Sequence, residues 1–326
     1  MSSPAGFKTT VRRFWPLMKL LIAVGILAAI FRFVPLGDVL RAIGSAHVAY
    51  LLASVPLILL GPYLSAARLK ILTDSLEMSL TLPEIAEVNF VTRFYGLAIP
   101  GQFATGAIRW LRLTRIEDRK AEILAAILVS RFLHLAGLCL LGTAFLTVEL
   151  ANGGGVPVMG WPLAIGTLAL AALVLLLIIP RGSALALRAE GRLRRLIGAT
   201  KSFRNLSGRQ LGSAVVLALA ENLAATVVIY LLALSVDVTV PFISLGWIRA
   251  AIQLLVFLPI SIAGLGVREG GLMLALEPYG VSGANAVALS LLVFAIGILV
   301  GTIGGALEVR RQLSPMSGPA RNAHAE

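Results

Sequence analysis

The chain has 326 residues, of which 58% are hydrophobic and only 13% are charged, and its mean hydropathy is +0.92. An average soluble domain carries about 25% charged residues, so this composition excludes an ordinary soluble protein and indicates an integral membrane protein. The net charge of +12 comes from basic residues between hydrophobic runs, where membrane topology places them, which argues against nucleic-acid binding. The single cysteine, Cys139, excludes an intrachain disulfide, and the scattered histidines predict neither a metal site nor a cofactor.

Hydrophobic runs predict six full crossings of the membrane. They lie at 17–34, 48–66, 123–148, 161–179, 211–234 and 281–307. The first run follows a basic segment at 1–16, and no small-residue cleavage site follows it, so it is interpreted as an uncleaved helix rather than a signal peptide. The segment 35–47 is expected to be a connecting loop. The segment 308–326 is expected to be a short disordered tail.

Two further apolar segments, at 82–108 and 242–276, contain related motifs that break them. The motifs are PGQFATGAIR at 100–109 and PISIAGLGVRE at 259–269. Each begins with proline (Pro100, Pro259) and reaches an arginine at the same distance (Arg109, Arg268), with an offset of 159 residues throughout. Proline lacks the backbone N–H and clashes with the preceding turn, so both segments are predicted to be re-entrant hairpins or pairs of half-helices.

The distribution of basic residues predicts the topology. The N-terminus, the loops at 68–83, 109–122 and 181–209, and the C-terminal tail are basic, whereas 149–160 and 235–241 contain no lysine or arginine. Both termini are therefore expected in the cytoplasm, and each broken segment must return to the side from which it came. The loop 181–209 is interpreted as cytoplasmic, and an amphipathic surface helix attracted to anionic lipid is the alternative.

The expected fold class is thus an all-α integral membrane protein, with six full transmembrane helices plus two re-entrant or broken helical hairpins arranged as an inverted repeat. The first repeat spans 17–149 and the second 150–307. Because each repeat contains three full crossings, the second points the opposite way to the first, and a pseudo-two-fold axis in the membrane plane relates them. Paired broken segments of this kind point to a binding site near the midplane.

The broken segments supply most of the candidate substrate-binding residues. These are Pro100, Gly101, Arg109, Arg131, Pro259, Gly264, Gly266, Arg268 and Glu269. Glycine lets backbone N–H groups approach a ligand closely, helix N-termini attract anions, and arginine adds charge and a fork of donors. Phosphate fits this set best, and a lipid headgroup is its commonest source in a membrane. The alternative is that Arg268 and Glu269 form an ion pair that only closes the hairpin.

Other polar residues in the apolar runs have two interpretations each. Arg131 and Arg93 face the same cavity or extend to the inner surface. Glu221 is a candidate proton or cation coupling site, or a structural partner of an arginine from the other half. Arg249 is interpreted as an interfacial anchor and His134 as a helix-packing histidine. Glycines 301, 304 and 305 are interpreted as helix-packing positions.

These motifs resemble a known family. LPISIAGLGVREGGLMLAL at 258–276, IPGQFATGAIR at 99–109 and the arginine at 131 look like the lysylphosphatidylglycerol synthase transmembrane, or flippase-like, family. The resemblance covers roughly residues 15–312. Many members have acids flanking the arginine that matches Arg131, where this chain has Ser130 and His134. Members often also carry an acid just before the arginine that matches Arg109, where this chain has Gly106, Ala107 and Ile108.

The resemblance implies lipid translocation or an assisting role in it. The predicted function is a flippase-like transporter of the bacterial inner membrane that moves an anionic phospholipid or polyprenyl-phosphate-linked lipid. A lipid-modifying transferase is the second hypothesis, although no general-base or metal motif is present in the sequence. A non-transporting accessory subunit is the third. The expected partners are an anionic lipid headgroup and the membrane, with a homo-oligomer or pathway enzymes possible, and no P-loop indicates an energy source.

Overall fold

The structure is a computed structural model that describes residues 32, 34–98, 102–153, 160, 163–167, 206–257 and 266–313. Every regular element within these residues is helical, which confirms the all-α prediction for this part of the chain. The helices with described bounds are α1 (Leu36–Gly44), α2 (Val48–Asp74), α3 (Leu82–Ala98), α4 (Gln102–Leu113), α5 (Lys120–Ala151), α6 (Gly208–Ser235), α7 (Phe242–Phe257), α8 (Val267–Leu276) and α9 (Gly283–Leu313). A 3₁₀ turn, Glu277–Tyr279, follows α8.

Among the described residues, four helices are long and apolar enough to cross a membrane: α2, α5, α6 and α9. They correspond to four of the six predicted crossings, so the chain is a multi-pass membrane protein. The first predicted crossing, 17–34, lies almost wholly outside the described residues. Of the fourth, 161–179, only a short helical part at 163–167 is described, and most of the loop 181–209 also lies outside.

Both segments that carry a proline motif are broken into two helices, as predicted. The first pair is α3 and α4, and the second pair is α7 and α8. α3 ends two residues before Pro100, and α7 ends two residues before Pro259. The prolines themselves, Gly101 and Gly264 lie outside the described residues. Within the described residues, each motif therefore separates two helices.

Several predicted boundaries were wrong, and in the following three cases packing between distant parts of the chain explains the difference. The expected loop 35–47 contains α1, which buries Val39 completely and packs against α9. The expected polar loop 109–122 begins later, because α4 extends to Leu113, whose side chain packs in a buried apolar cluster. The expected tail from Glu308 is helical to residue 313, because Glu308 is only 6% exposed and pairs with Arg112.

The connections after α2 and α6 have the same unusual backbone conformation. Glu77 has φ 54° and Asp237 has φ 57°, and these are the only described non-glycine residues with positive φ. In each turn the next residue donates its N–H to the carbonyl oxygen five residues earlier, at 3.1 Å in the first and 2.9 Å in the second. A left-handed residue is uncommon outside glycine, so its recurrence 160 residues later marks a matching turn.

Glycines bring the long helices close to both broken pairs. A Cβ built on Gly304 of α9 would lie 2.0 Å from the backbone oxygen of Phe90 in α3. A Cβ built on Gly142 of α5 would lie 2.5 Å from Cβ of Ala250 in α7. Near Gly304, the Cβ positions of Gly301 and Gly305 fall within 3 Å of α3 side chains, which confirms all three as packing positions. The absent side chains let the helix backbones approach closely.

Gly304→Ala is expected to destabilise the protein by about 3 kcal/mol, because the added methyl group meets the backbone of Phe90 and cannot be accommodated by a rotamer change. The melting temperature of the purified protein in detergent measures this effect. Gly297→Ala on the same helix is the matched control, since its added Cβ meets nothing within 4 Å. Equal melting temperatures for the two variants would contradict the packing of α9 on α3.

Each broken pair begins and ends beside a common neighbour. In the first pair, Ile85 near the start of α3 and Leu113 at the end of α4 lie in one buried apolar cluster. In the second pair, the carboxylate of Glu149 at the end of α5 accepts hydrogen bonds from both ends. Ser244 Oγ near the start of α7 donates at 2.7 Å, and the Tyr279 hydroxyl just after α8 donates at 2.9 Å.

Candidate functional site

The centre of the candidate site is an ion pair between Arg68 of α2 and Glu221 of α6. Arg68 Nη1 donates to Glu221 Oε2 at 2.5 Å, and Arg68 Nε donates to Ser130 Oγ of α5 at 3.1 Å. Arg68 is 2% exposed. Glu221 lies at the middle of α6, about 20 Å from either end at 1.5 Å per residue. The pair thus joins three helices deep in the membrane, and it matches the structural pairing that the sequence left open for Glu221.

His134 and Arg249 extend this centre, which corrects both sequence interpretations. His134 Nδ1 lies 3.2 Å from Glu221 Oε2, although the two atoms are not aligned for a hydrogen bond. Asn222 connects His134 to Arg249. Its amide nitrogen donates to the His134 carbonyl oxygen at 3.2 Å, and its amide oxygen accepts from Arg249 Nη2 at 3.3 Å. Arg249 is therefore directed toward the centre of the protein rather than anchored at the interface.

Arg109 of α4 is the most unusual member of the site. Its Nε and Nη2 atoms are buried, and no residue of the described chain accepts a hydrogen bond from them. It lies within electrostatic range of Glu221 and also of three other arginines, Arg68, Arg93 and Arg131. A buried cation with unsatisfied donors is strongly unfavourable unless an anion compensates it. An anion beside Arg109 would compensate this charge and satisfy these donors.

Arg131 of α5 contacts residues of both broken pairs, and whether it faces a cavity or extends to the inner surface stays a prediction. Its guanidinium carbon is 5.6 Å from the ring centroid of Phe257, the last residue of α7. On the other side, Nη1 would be 3.3 Å from a Cβ built on Gly106 of α4. A side chain at 106 would press on the guanidinium, so the glycine leaves room for Arg131. Arg93 on α3 has an exposed side chain and also lies within electrostatic range of Glu221.

These residues make one electropositive group, which we call the Arg109 cluster. Its members are Arg68, Arg93, Arg109, Arg131, His134, Glu221, Asn222 and Arg249. Five arginines against one glutamate leave an excess of four positive charges when the histidine is neutral. Charges inside a membrane protein face the bundle interior or a wet cavity and mark functional sites. The cluster is chemically suited to hold an anion between α3, α4, α5 and α7.

Arg268 and Glu269 form a second, self-contained group on α8. Arg268 Nη2 donates to Glu269 Oε1 at 3.3 Å, and its Nε donates to Ser290 Oγ of α9 at 2.9 Å. The Ser290 hydroxyl in turn donates to Glu269 Oε1 at 2.8 Å. In the described part of the chain, no hydrogen bond or ion pair joins Arg268 to the Arg109 cluster. This is the hairpin-closing ion pair that the sequence left open, and a binding role for Arg268 stays a prediction.

Gly266 begins α8 and has a structural role in this group. Its φ is 82°, in the region that favours glycine, and its N–H donates to Glu269 Oε2 at 2.6 Å. Glu269 is fully buried. Its carboxylate accepts hydrogen bonds from both the Gly266 N–H at the start of the helix and the Arg268 guanidinium. The other predicted members of the second motif, Pro259 and Gly264, lie outside the described residues.

Comparison with protein families places this geometry in a known group. A model of the lysylphosphatidylglycerol synthase TM region matches residues 17–305. The chain belongs to this family. The match covers α2, α5 and α6 and most of α9, and it supports a role related to membrane lipids. No curated protein matches the chain.

In this member of the lysylphosphatidylglycerol synthase TM family, sequence reasoning missed Arg68. It was interpreted as a basic residue that ends the second crossing, whereas α2 continues for six further residues. The available signal was the spacing of Lys70 and Asp74, which pair four residues apart and extend the helix past Arg68. Arg68 then lies about one and a half turns before the end of an apolar helix, where its charge needs a buried partner. Glu221, in the second half of the chain, was the acid in an apolar run that still lacked a partner.

Proposed function

We propose that this protein moves an anionic lipid between the leaflets of the bacterial inner membrane. The lipid is a phospholipid or is linked to polyprenyl phosphate, and its headgroup passes through the Arg109 cluster. The observation that carries this proposal is Arg109, whose two buried donors have no acceptor in the described chain and whose neighbours are mainly other arginines. A phosphate presents paired oxygens that match such a fork of donors.

The depth of the cluster supports transport rather than binding at the surface. Glu221 lies at the middle of α6, and Arg249 lies at the middle of α7. Irregular backbone at membrane depth is tolerated only where it is buried in protein or lines a wet cavity. A headgroup held here is midway between the leaflets, while its acyl chains can stay in the surrounding lipid.

The proposed architecture is an inverted repeat with both termini in the cytoplasm. Its halves, 17–149 and 150–307, would be exchanged by a pseudo-two-fold axis in the membrane plane. Three pairs of features support it: the left-handed turns at Glu77 and Asp237, the close contacts of Gly304 and Gly142, and the common neighbour at both ends of each broken pair. The broken pairs would then be re-entrant, one from each side.

Reconstitution into liposomes tests the proposed function. We expect the wild-type protein to move fluorescent phosphatidylglycerol from the inner to the outer leaflet, measured by accessibility to a membrane-impermeant quencher. Arg109→Gln should lower this rate by roughly tenfold or more, because the charge-assisted bonds to phosphate are lost. Arg41→Gln is the matched control, since this arginine is 82% exposed on α1.

Two results would overturn the proposal. If liposomes with and without the protein move the lipid equally, the protein is an accessory subunit rather than a transporter. If the lipid is recovered chemically altered, the protein is an enzyme. Equal rates for Arg109→Gln and Arg41→Gln would show transport that does not depend on the Arg109 cluster.

A further inference from the structure

We infer that the Arg109 cluster recognises a diphosphate headgroup, which carries more than one negative charge, in preference to a phosphodiester, which carries one. This inference rests on the proposed function and names the chemical class of its substrate. It is carried by the number of positive charges in the cluster, by the donors of Arg109, and by the placement of the neighbouring arginines on separate helices.

The first step is the charge of the cluster. Arg68 is compensated by Glu221, to which it donates at 2.5 Å. Further positive charge belongs to Arg93, Arg109 and Arg249. A phosphodiester would leave most of this charge uncompensated in a region of low dielectric constant, where uncompensated charge is strongly unfavourable. A phosphate monoester carries about −1.5 to −2 at pH 7, and a second linked phosphoryl group adds further charge.

The second step is the number of donors. The Nε–H bond of Arg109 and one Nη2–H bond are parallel and lie in the guanidinium plane. Together they form a pair of donors that can bind two oxygens of a single phosphate. A phosphodiester has only two unesterified oxygens, so this one fork can occupy both. Arg93 has no hydrogen-bond acceptor among the described residues, and Arg249 has only Asn222 Oδ1. The second phosphoryl group of a diphosphate supplies oxygens for these donors.

The third step is the direction from which the arginines approach. Arg93 belongs to α3, Arg109 to α4 and Arg249 to α7, and both Arg93 and Arg249 interact electrostatically with Glu221 at the centre. Since α3 and α4 form one broken pair and α7 belongs to the other, the donors surround the ligand from two sides. A two-phosphate group can contact both sides at once, whereas a single phosphate bound by Arg109 has fewer free oxygens facing α7.

Binding to the purified full-length protein in detergent tests the inference. The probes are farnesyl diphosphate, farnesyl monophosphate, short-chain phosphatidylglycerol and inorganic pyrophosphate, each titrated while tryptophan fluorescence or heat is recorded. We expect farnesyl diphosphate to bind at least about tenfold more tightly than phosphatidylglycerol, with the monophosphate between them. Arg249→Gln should lower the affinity for farnesyl diphosphate roughly tenfold more than the affinity for phosphatidylglycerol. Arg249→Lys keeps the charge without the fork and should give a smaller loss.

The outcomes separate this inference from the proposed function. If phosphatidylglycerol binds as tightly as farnesyl diphosphate, and Arg109→Gln weakens both, the diphosphate preference is wrong and the lipid transporter stands. If pyrophosphate binds as tightly as farnesyl diphosphate, the site recognises a free anion, and the lipid substrate is wrong. If no probe binds, both proposals fail. Loss of binding in Arg249→Gln that is equal for all probes would overturn the assignment of Arg249 to a second phosphoryl group.

Discussion

Replacing Glu221 by glutamine is expected to destabilise the protein by about 3–5 kcal/mol, the range found when one partner of a buried ion pair is removed. The reason is that Arg68, at 2% exposure, would keep its charge while losing the carboxylate of Glu221, its ion-pair partner in the described part of the chain. His134 would lose its carboxylate neighbour as well. Unfolding of the purified protein in detergent, followed by heat or denaturant, measures the change.

The double variant Arg68→Met/Glu221→Met separates lost charge compensation from lost packing. Exchanging a whole buried ion pair for apolar residues of similar volume is often neutral or stabilising, so most of the stability should return. Glu277→Gln is the matched control, because Glu277 is exposed and its substitution should change the free energy of unfolding by no more than about 0.5 kcal/mol. A double variant as unstable as Glu221→Gln would show that the pair does not account for the loss.

Arg109→Met is expected to have the opposite effect on stability and to abolish binding. In the ligand-free protein, two of the Arg109 donors are buried without an acceptor among the described residues, and the neighbouring arginines repel its charge. Removing this cation should therefore stabilise the delipidated protein by about 1–4 kcal/mol. Addition of anionic lipid should then raise the melting temperature of the wild type but leave that of the variant unchanged.

Arg112→Met is the matched control on the same helix. Arg112 pairs with Glu308, which also accepts a hydrogen bond from the Tyr95 hydroxyl at 3.2 Å. Its removal should destabilise the ligand-free protein and preserve the response to anionic lipid. If Arg109→Met destabilises the delipidated protein as Arg112→Met does, Arg109 is a structural residue. A binding-site residue is expected instead to lower the stability of the ligand-free protein, so that its removal raises it.

The features that could be predicted from sequence depend on local chemistry. Long apolar runs identify α2, α5, α6 and α9, because a crossing needs only enough hydrophobic residues in a row. The breaks near Pro100 and Pro259 follow from the missing N–H of proline. The turns at Glu77 and Asp237 were not predicted, because positive φ at an acidic residue leaves no clear mark in the sequence.

The features that could not be predicted depend on residues far apart in the chain. Arg68 and Glu221 are separated by 153 residues, and nothing near either one identifies the other. The end of α9 was placed too early because the partner of Glu308 is Arg112, 196 residues away. Helix ends and buried pairs of this kind are decided by tertiary packing, which a hydropathy pattern does not contain.

The two matched arginines show how little the register of a motif says about its chemistry. Arg109 and Arg268 occupy the same position in their motifs, yet Arg268 is followed by Glu269 and bonded to Ser290, whereas Arg109 lies between Ile108 and Trp110. The acid next to Arg268 supplies a partner from the motif itself. Arg109 has no acid beside it in the sequence, and its buried Nε and Nη2 have no acceptor among the described residues, so the equivalence in sequence does not extend to the bonding of the two side chains.

The most direct test of the account is a structure of the protein determined by electron cryomicroscopy in nanodiscs that contain lipids from its own membrane. We predict non-protein density for a phosphate-bearing headgroup within about 3 Å of Nε and Nη2 of Arg109, enclosed by α3, α4 and α7. Density of this kind would show an anion where the guanidinium fork has no acceptor. Arg109 bonded to a carbonyl or carboxylate of the protein, with no density beside it, would contradict the account.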